Sequence, residues 1–462
     1  MCMVTSPSVL YKANPQNLGV RLRVRPTWVV SMKLKSTNDC SNIYVETEEF
    51  KIMISKKELI ILRDLAKKQM EFATSDKTIQ LKKEWTAHGA FKGKKPMILI
   101  ELGTFNNDVI PQMLRCQEEE ARGLEYMLLS NTINYEDFKD DFIVKDYLNV
   151  GWETYMKPWN IDVKVERAES EDNLGHHFIS QIHDLEEDFH KFQKSSFHIS
   201  KNSAYERINY LNDMFGDIIP AKLSSGSLYA SPTQNLVHIM SMEDMFVAMC
   251  DYPDTFLKVM DMQANDQVEF FKTLEKEGYL LPTTAEEWCG QGTYCFTDEL
   301  PNKPEGLSLK DVWGYVDSQE TVGVSAEMFD ELIFPSYKKI TQEYGLLSYG
   351  CCEPVDPIWE RCISKLDNLR KVSISPWCNE EYMGEQLKGK KIVFLRKPSP
   401  NFLGVGATLD EEACKENIKK TIMAAKGCAL EFSQRDVYQI NKDVRKVARF
   451  VEIIREQVEN FY

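Results

Sequence analysis

Long apolar runs are missing from this chain of 462 residues. No run reaches about eighteen consecutive apolar residues, so the sequence predicts no membrane-spanning helix. The N-terminus has no apolar segment ending in small residues, so no secretory signal is expected. Basic residues are outnumbered, 56 against 71 acidic ones, and the formal net charge is -15. That charge argues against a nucleic acid or an anionic membrane as partner.

The glycine-rich loops that bind nucleotides are missing as well. No Gly-rich dinucleotide loop follows a predicted strand, and no phosphate loop of the GxxxxGK[ST] type occurs. The composition, with 43% hydrophobic and 27% charged residues, is that of an ordinary globular protein. Its length suits one large domain with additions, or two domains.

Cysteines are scattered along the chain rather than dense in one short segment. There are 12 of them, and without a secretory signal this spacing predicts reduced thiols in a cytosol. Cys351 and Cys352 are adjacent, and adjacent cysteines rarely form a disulfide with each other. Their pairing therefore favours a role as ligands or a buried apolar role.

Strand-like and helical runs alternate over most of the chain, which predicts βαβ units and a parallel sheet. About eight units fit, so the predicted fold is an α/β (β/α)8 TIM barrel with an N-terminal helical extension; an open doubly wound sheet is the alternative. The predicted strands lie at 96–101, 227–230, 293–296, 346–349, 371–375, 391–395 and 429–432. The predicted parts are a tail (1–46), a helical segment (47–95) and the barrel (96–462).

Chemistry in such a barrel occurs where strands end at their carboxyl side. Tyr349-Gly350-Cys351-Cys352-Glu353 follows a strand, and thiolates with a carboxylate are ligands that zinc accepts. Three groups of candidates result. The acid–base candidates are Asp298, Glu299 and Lys397; the metal ligands are Cys351, Cys352, Glu353 and Cys378; the substrate-binding candidates are Glu101, Trp313, Tyr349, Trp377, Arg396 and Asp436.

Each candidate also has an ordinary structural interpretation. An aspartate at a strand end, such as Asp298 or Asp436, is often only the N-cap of the next helix. Arg396-Lys397 has the pattern of a solvated charge pair. Trp313 and Trp377 fit the protein core or a pocket wall as well as they fit a substrate contact.

The second half of the chain resembles the uroporphyrinogen decarboxylase superfamily, in its decarboxylase-like branch. The resemblance covers most of residues 290–460 and implies a (β/α)8 barrel, which in this superfamily often forms a homodimer. The similar segments are 297–301, 309–314, 317–325, 349–354, 373–377, 396–398 and 428–436.

The activities implied by this resemblance are decarboxylation and corrinoid-linked methyl transfer. The Arg-x-x-Gly-Arg-Tyr context of the decarboxylases is missing here, which disfavours tetrapyrrole decarboxylation. The methyltransferases hold zinc with a His-x-Cys pair and a distant Cys. With Cys352 in the place of the first cysteine, Gly350 stands where the histidine would be.

The sequence therefore predicts a zinc-assisted methyltransferase that works with a corrinoid protein. It would move a methyl group between a small donor, such as an aryl methyl ether, and the corrinoid of that partner. A carboxy-lyase acting on an acidic substrate, with Arg396, Lys397 and Arg435 as carboxylate clamps, is the first alternative. A non-catalytic corrinoid- or tetrapyrrole-binding barrel is the second.

Overall fold

Helices and parallel strands alternate along most of the part of the chain that is described. The computed structural model describes residues 54–167, 176–290 and 292–462, so the predicted tail at 1–46 lies outside the described residues. The helices are α1 (Lys56–Ala73), α2 (Asp76–Gly89), α3 (Asn106–Val109), α4 (Glu119–Ser130), α5 (Asn202–Phe215), α6 (Pro232–Val237), α7 (Met242–Asp251), α8 (Pro253–Lys276), α9 (Ala326–Met328), α10 (Phe334–Thr341), α11 (Glu380–Leu387), α12 (Asn401–Gly404), α13 (Glu411–Ala424) and α14 (Val444–Phe461).

Strands are short, three to six residues each. They are β1 (Met97–Ile100), β2 (Leu148–Val150), β3 (Glu153–Lys157), β4 (Val165–Arg167), β5 (His176–Phe178), β6 (Ser196–Ser200), β7 (Ala221–Leu223), β8 (Leu228–Ala230), β9 (Trp313–Val316), β10 (Leu346–Tyr349), β11 (Leu369–Ile374), β12 (Val393–Arg396) and β13 (Ala429–Gln434). Of these, β1, β9, β10 and β12 are buried along their whole length.

Seven of these strands form one sheet, in the order β1-β13-β12-β11-β10-β9-β8, and every neighbouring pair is parallel. The predicted α/β fold with a parallel sheet is therefore confirmed. β2 and β7 form a separate parallel pair, and two antiparallel pairs, β3 with β6 and β4 with β5, lie in the excursion between them. Because all seven strands run the same way, their carboxyl ends meet at one edge, which we call the carboxyl edge.

The outer side of β1 is covered by two aspartates. The carboxylates of Asp141 and Asp140 accept the backbone N–H groups of Ile98 and Ile100, each at 2.8 Å. The Asp141 N–H in turn donates to the Ile98 carbonyl at 2.9 Å. These contacts satisfy backbone groups that a buried sheet edge would otherwise leave unpaired.

Helix boundaries follow from capping residues and prolines. Ser55 and Ser75 cap α1 and α2 by accepting the backbone N–H groups of Glu58 and Thr78. The continuous helix predicted over 243–275 is interrupted after Asp251, because Pro253 starts a new helix and has no N–H to continue the first.

The strand predicted at 293–296 is wrong, and β9 was not predicted. Residues 292–295 belong to a loop that enters the sheet's concave side, and an isolated bridge joins Trp288 to Tyr294. A Cβ at Gly292, which has φ +73°, would lie 2.2 Å from the Ser433 hydroxyl oxygen. The loop therefore needs glycine to approach β13 so closely.

Below the carboxyl edge the sheet's concave side holds a buried ionic cluster. Lys371 on β11 lies 2.7 Å from the Glu431 carboxylate on β13, although β12 runs between their strands. His88 contributes its Nε2 atom at 3.2 Å from Glu431, and the Thr293 hydroxyl bridges Lys371 and Glu431. This cluster lies between the amino ends of the strands and the candidate site.

Candidate active site

Polar side chains from several strand ends converge at the carboxyl edge. The contributors follow β1, β9, β10, β12 and β13, and all are buried or half-buried. The convergence shows how strongly the sheet curves, since Arg435 after β13 reaches Cys351 after β10 across two intervening strands. The residues concerned are Glu101, Asp317, Cys351, Cys352, Glu353, Lys397, Arg435 and Asp436.

Arg435 lies at the centre of this cluster. Its Nε lies 3.1 Å from a Glu101 carboxylate oxygen, and its Nη2 lies 3.2 Å from Asp436. Its Nη1 donates to the Cys351 sulfur at 3.5 Å. Burial lowers the pKa of the guanidinium, but the charges of Glu101 and Asp436 outweigh burial and hold that pKa well above its usual value. Arg435 is therefore a fixed cation that organises three strand ends.

Asp317 is a buried carboxyl group surrounded by hydroxyl groups. The Tyr315 hydroxyl donates to Oδ2 at 2.6 Å, and the Ser231 hydroxyl donates to Oδ1 at 2.7 Å. The Tyr229 hydroxyl approaches both oxygens at 3.4 and 3.5 Å. Burial raises the pKa of Asp317 despite these donors. Burial therefore opposes the ionised form of Asp317, while the hydroxyl donors favour it.

Glu353 fixes the turn that carries the two thiols. Gly350 has φ +97°, a backbone conformation that favours glycine. One Glu353 carboxylate oxygen accepts the Ser318 N–H at 3.0 Å, and the other accepts the Cys351 N–H at 2.9 Å. Burial raises the pKa of Glu353 to about 7. Its two oxygens therefore bind backbone N–H groups at the ends of two neighbouring strands, β9 and β10.

The carbonyl of Cys351 is a second anchor of the same turn. It accepts hydrogen bonds from the Lys397 ammonium at 3.0 Å and from the Ser373 hydroxyl at 2.6 Å. Lys397 is buried and directly follows β12. Its side chain reaches across the sheet to the turn after β10. The structure places this predicted acid–base residue inside the cluster.

The two thiols themselves are in contact. The Cys351 and Cys352 sulfurs lie 3.2 Å apart, and the Cys352 thiol donates to Asp436 Oδ2 at 3.0 Å. Cys351 has no exposed surface, and burial raises its thiol pKa well above the usual value. Asp436 has φ +60°, so its backbone turns sharply where its carboxylate meets both Cys352 and Arg435.

The predicted zinc ligands do not fit a metal site. Both Glu353 oxygens accept backbone N–H groups, and the Cys378 sulfur accepts the Val355 N–H at 3.3 Å. Burial raises the pKa of the Cys378 thiol to about 11. Within residues 54–167, 176–290 and 292–462, no three His, Cys, Asp or Glu side chains converge as metal ligands do. The adjacent thiols are brought together, but the predicted four-ligand set is not.

Asp298 and Glu299 do not lie at the carboxyl edge. Glu299 forms an ion pair with Arg370 at 3.0 Å, and Arg370 belongs to the beginning of β11. Asp298 is exposed and lies 3.8 Å from Lys92. The expected placement of these two acids is wrong because residues 293–296 form a loop and not a strand, so the chain is at the opposite end of the sheet when it reaches them.

Four of the predicted substrate-binding residues lie in different parts of the structure and do not form one binding site. Trp313 begins β9, and its indole donates to the Cys295 carbonyl at 2.9 Å, far from the strand's carboxyl end. Arg396 is buried and pairs with Glu380 on α11 at 2.8 Å, on the helix side of the sheet. Tyr349 contacts the Ser318 hydroxyl at 2.7 Å, and Trp377 is 64% exposed. Trp313 and Arg396 therefore lie outside the cluster.

Sequence reasoning missed the most enclosed acid of the site. Asp317 follows β9, a strand that the sequence pattern did not predict. β9 reads Trp-Gly-Tyr-Val, in which the glycine weakens the strand pattern. Recognising that strand would have placed Asp317 at its carboxyl end by the same rule that located Glu353.

Comparisons with known proteins give little beyond this geometry. No protein-family model matches the chain, and no curated protein matches it. Among solved structures, a methyltransferase from Methanosarcina mazei is similar with a TM-score of 0.45 and 11% identity, over 81% of this chain and 98% of that one. At this level the likeness does not bear on activity.

Proposed function

We propose that this protein is a methyltransferase that moves a methyl group from the oxygen of a small donor to the corrinoid of a partner protein. An aryl methyl ether is the donor class we favour. The observation that carries the proposal is Asp317, a buried acid at the carboxyl edge with its pKa raised by burial. The resemblance to the superfamily that contains corrinoid-linked methyltransferases supports it.

Breaking an oxygen–methyl bond leaves an electron pair on oxygen, and a proton delivered to that oxygen makes it a better leaving group. In the proposed step Asp317 gives its proton to the ether oxygen as the methyl group departs to the acceptor. The phenol leaves neutral, and Asp317 becomes a carboxylate. The hydroxyls of Tyr315 and Ser231, at 2.6 and 2.7 Å, stabilise that carboxylate until solvent returns a proton.

The walls beside Asp317 suit an aromatic donor. The rings of Tyr229 and Tyr315 are stacked, with centroids 5.1 Å apart and an angle of 16° between the planes. The two tyrosine hydroxyls point to Asp317, so an aryl group that reached this acid would lie beside aromatic side chains. Lys397 and Arg435 add positive charge near the turn that carries the thiols, where a developing negative charge on the leaving oxygen would be stabilised.

The corrinoid supplies the nucleophile that accepts the methyl group, and its carrier protein must reach the carboxyl edge. Loops that leave β9, β11, β12 and β13 at this edge expose large apolar side chains, as a docking surface would. These are Val322, Trp377, Val405 and Tyr438. The same edge would belong to a closed (β/α)8 barrel if the β2–β7 pair fills the interval between β1 and β8.

Zinc has no step in this scheme, because Glu353 and Cys378, two of the four predicted ligands, already accept backbone N–H groups. The thiols are instead part of the turn beside Asp436. Decarboxylation of an acidic substrate is supported less, since Arg396 lies outside the cluster and Arg435 is already flanked by Glu101 and Asp436.

The test is an anaerobic incubation of the purified protein with free cob(I)alamin and a panel of methoxyphenols that begins with 2-methoxyphenol. Formation of methylcobalamin, followed by absorbance, together with the demethylated phenol supports the proposal. Release of carbon dioxide from a porphyrinogen without methyl transfer would support the carboxy-lyase instead. Binding of cobalamin without turnover of any donor would contradict catalysis.

A further inference from the structure

The Cys351–Cys352 pair has a geometry that the proposed methyl transfer does not use. The two sulfurs lie 3.2 Å apart, and neither is in a disulfide. We propose that the pair is a redox modification site, in which a hydroperoxide or a low-molecular-weight disulfide converts the two thiols to a reversible disulfide between adjacent residues. The inference depends on the pair's own contacts and not on the identity of the substrate.

The two thiols are inequivalent, and this sets the order of events. Cys352 is partly exposed, whereas Cys351 is fully buried. The Cys352 thiol donates to the Asp436 carboxylate at 3.0 Å, so its proton has an acceptor when the sulfur attacks. The accessible sulfur with an adjacent proton acceptor meets the oxidant first, and the buried sulfur 3.2 Å away resolves the product.

With hydrogen peroxide the steps balance as follows. The Cys352 sulfur attacks one peroxide oxygen, the O–O bond breaks, and the products are a sulfenic acid and one water. The Cys351 sulfur then attacks the Cys352 sulfur, the S–O bond breaks, and a second water leaves as the disulfide forms. Two thiols lose two protons and two electrons in total, and the peroxide is reduced to two waters.

A disulfide at this position is expected to be easily reduced. Cα atoms of neighbouring residues are about 3.8 Å apart, below the usual range of about 4.4 to 6.8 Å for disulfides, so the ring is strained. Strained disulfides are the labile ones. The strained ring would include the backbone of Cys351. The Cys351 N–H donates to Glu353, and the Cys351 carbonyl accepts hydrogen bonds from Lys397 and Ser373. Oxidation therefore alters contacts in the centre of the candidate site.

Trypsin gives a direct assay, because cleavage after Lys339 and Arg361 leaves a peptide, 340–361, with Cys351 and Cys352 as its two cysteines. The full-length protein is treated with hydrogen peroxide, its remaining thiols are alkylated under denaturing conditions, and it is digested. The expected result is a peptide that carries no alkyl group and has lost about 2 Da, and that takes up two alkyl groups after treatment with dithiothreitol.

Substitutions separate this result from general oxidation. Cys352→Ser is expected to abolish the change in peptide 340–361, whereas Cys250→Ser, at an exposed cysteine elsewhere, leaves it intact. The wild-type peptide is informative even if a variant fails to fold. Uptake of two alkyl groups after peroxide treatment, or a gain of about 32 Da on Cys352 with Cys351 still alkylated, would overturn the proposal. Neither readout depends on methyl transfer.

Discussion

Several carboxyl groups in and beside the candidate site are buried. Because burial changes their pKa values, the free energy of unfolding should depend on pH. Glu320 is 6% exposed and accepts the Thr233 hydroxyl at 3.0 Å. Burial raises the pKa of Glu320 from 4.5 to about 8. Between these two values the unfolded chain has lost the proton while the folded chain retains it, so this group makes folding weaker as pH rises.

Glu320→Gln should therefore flatten the pH dependence of stability. We expect the free energy of unfolding of the wild type to fall between about pH 5 and about pH 8, and that of the variant to fall less, since the amide does not ionise. Urea unfolding at both pH values measures the difference. Glu459→Gln on the exposed side of α14 is the matched control. Equal slopes for wild type and Glu320→Gln would contradict the raised pKa.

Arg396 illustrates a buried charge with a structural role. Its guanidinium is 1% exposed, lies 2.8 Å from Glu380 and donates to the Ser375 carbonyl at 2.7 Å. Arg396→Met leaves Glu380 buried without its cation, and we expect a loss of about 3–5 kcal/mol in the free energy of unfolding. Arg361→Met breaks an exposed pair with Glu327 and should cost about 1 kcal/mol or less. Similar losses in both variants would refute this assignment.

At the scale of elements, two helices on the outside of the sheet depend on one glycine. Gly384 in α11 faces the end of α13, and a Cβ there would lie 1.9 Å from the Ala424 carbonyl oxygen. Gly384→Ala must push the helices apart, and we expect a loss of about 1–3 kcal/mol or more by thermal or chemical unfolding. Gly103→Ala, where nothing lies within 4 Å, is the control and should be nearly neutral. An unchanged stability for Gly384→Ala would contradict the close packing of α11 on α13.

Six of the seven strands of the large parallel sheet were predictable from sequence, and β9 was not. β1, β10, β12 and β13 are runs of buried residues, and the sequence located each within a few residues. Residues 293–296 are buried as well, but their hydrogen bonds and packing belong to a loop that fills the sheet's interior. Periodicity cannot separate a buried loop from a buried strand, because both are apolar.

At the scale of the whole molecule, the rule that function follows strand ends located part of the site. It placed Glu101, Lys397, Asp436 and the thiol turn at one edge before their contacts were known. It failed for Asp298 and Glu299, which follow the loop mistaken for a strand. The partners of each group, such as Arg435 with Cys351, depend on the curvature of the sheet, which no local pattern contains.

The most direct test of the account compares Asp317→Asn with Glu299→Gln in methyl transfer from a methoxyphenol to cob(I)alamin. Asp317→Asn removes the proposed proton donor, and we expect its rate to fall about 100-fold or more. Glu299→Gln, at the opposite end of the sheet, should retain the wild-type rate. Melting curves establish that both variants are folded. A folded Asp317→Asn variant that transfers methyl groups as fast as the wild type would contradict the account.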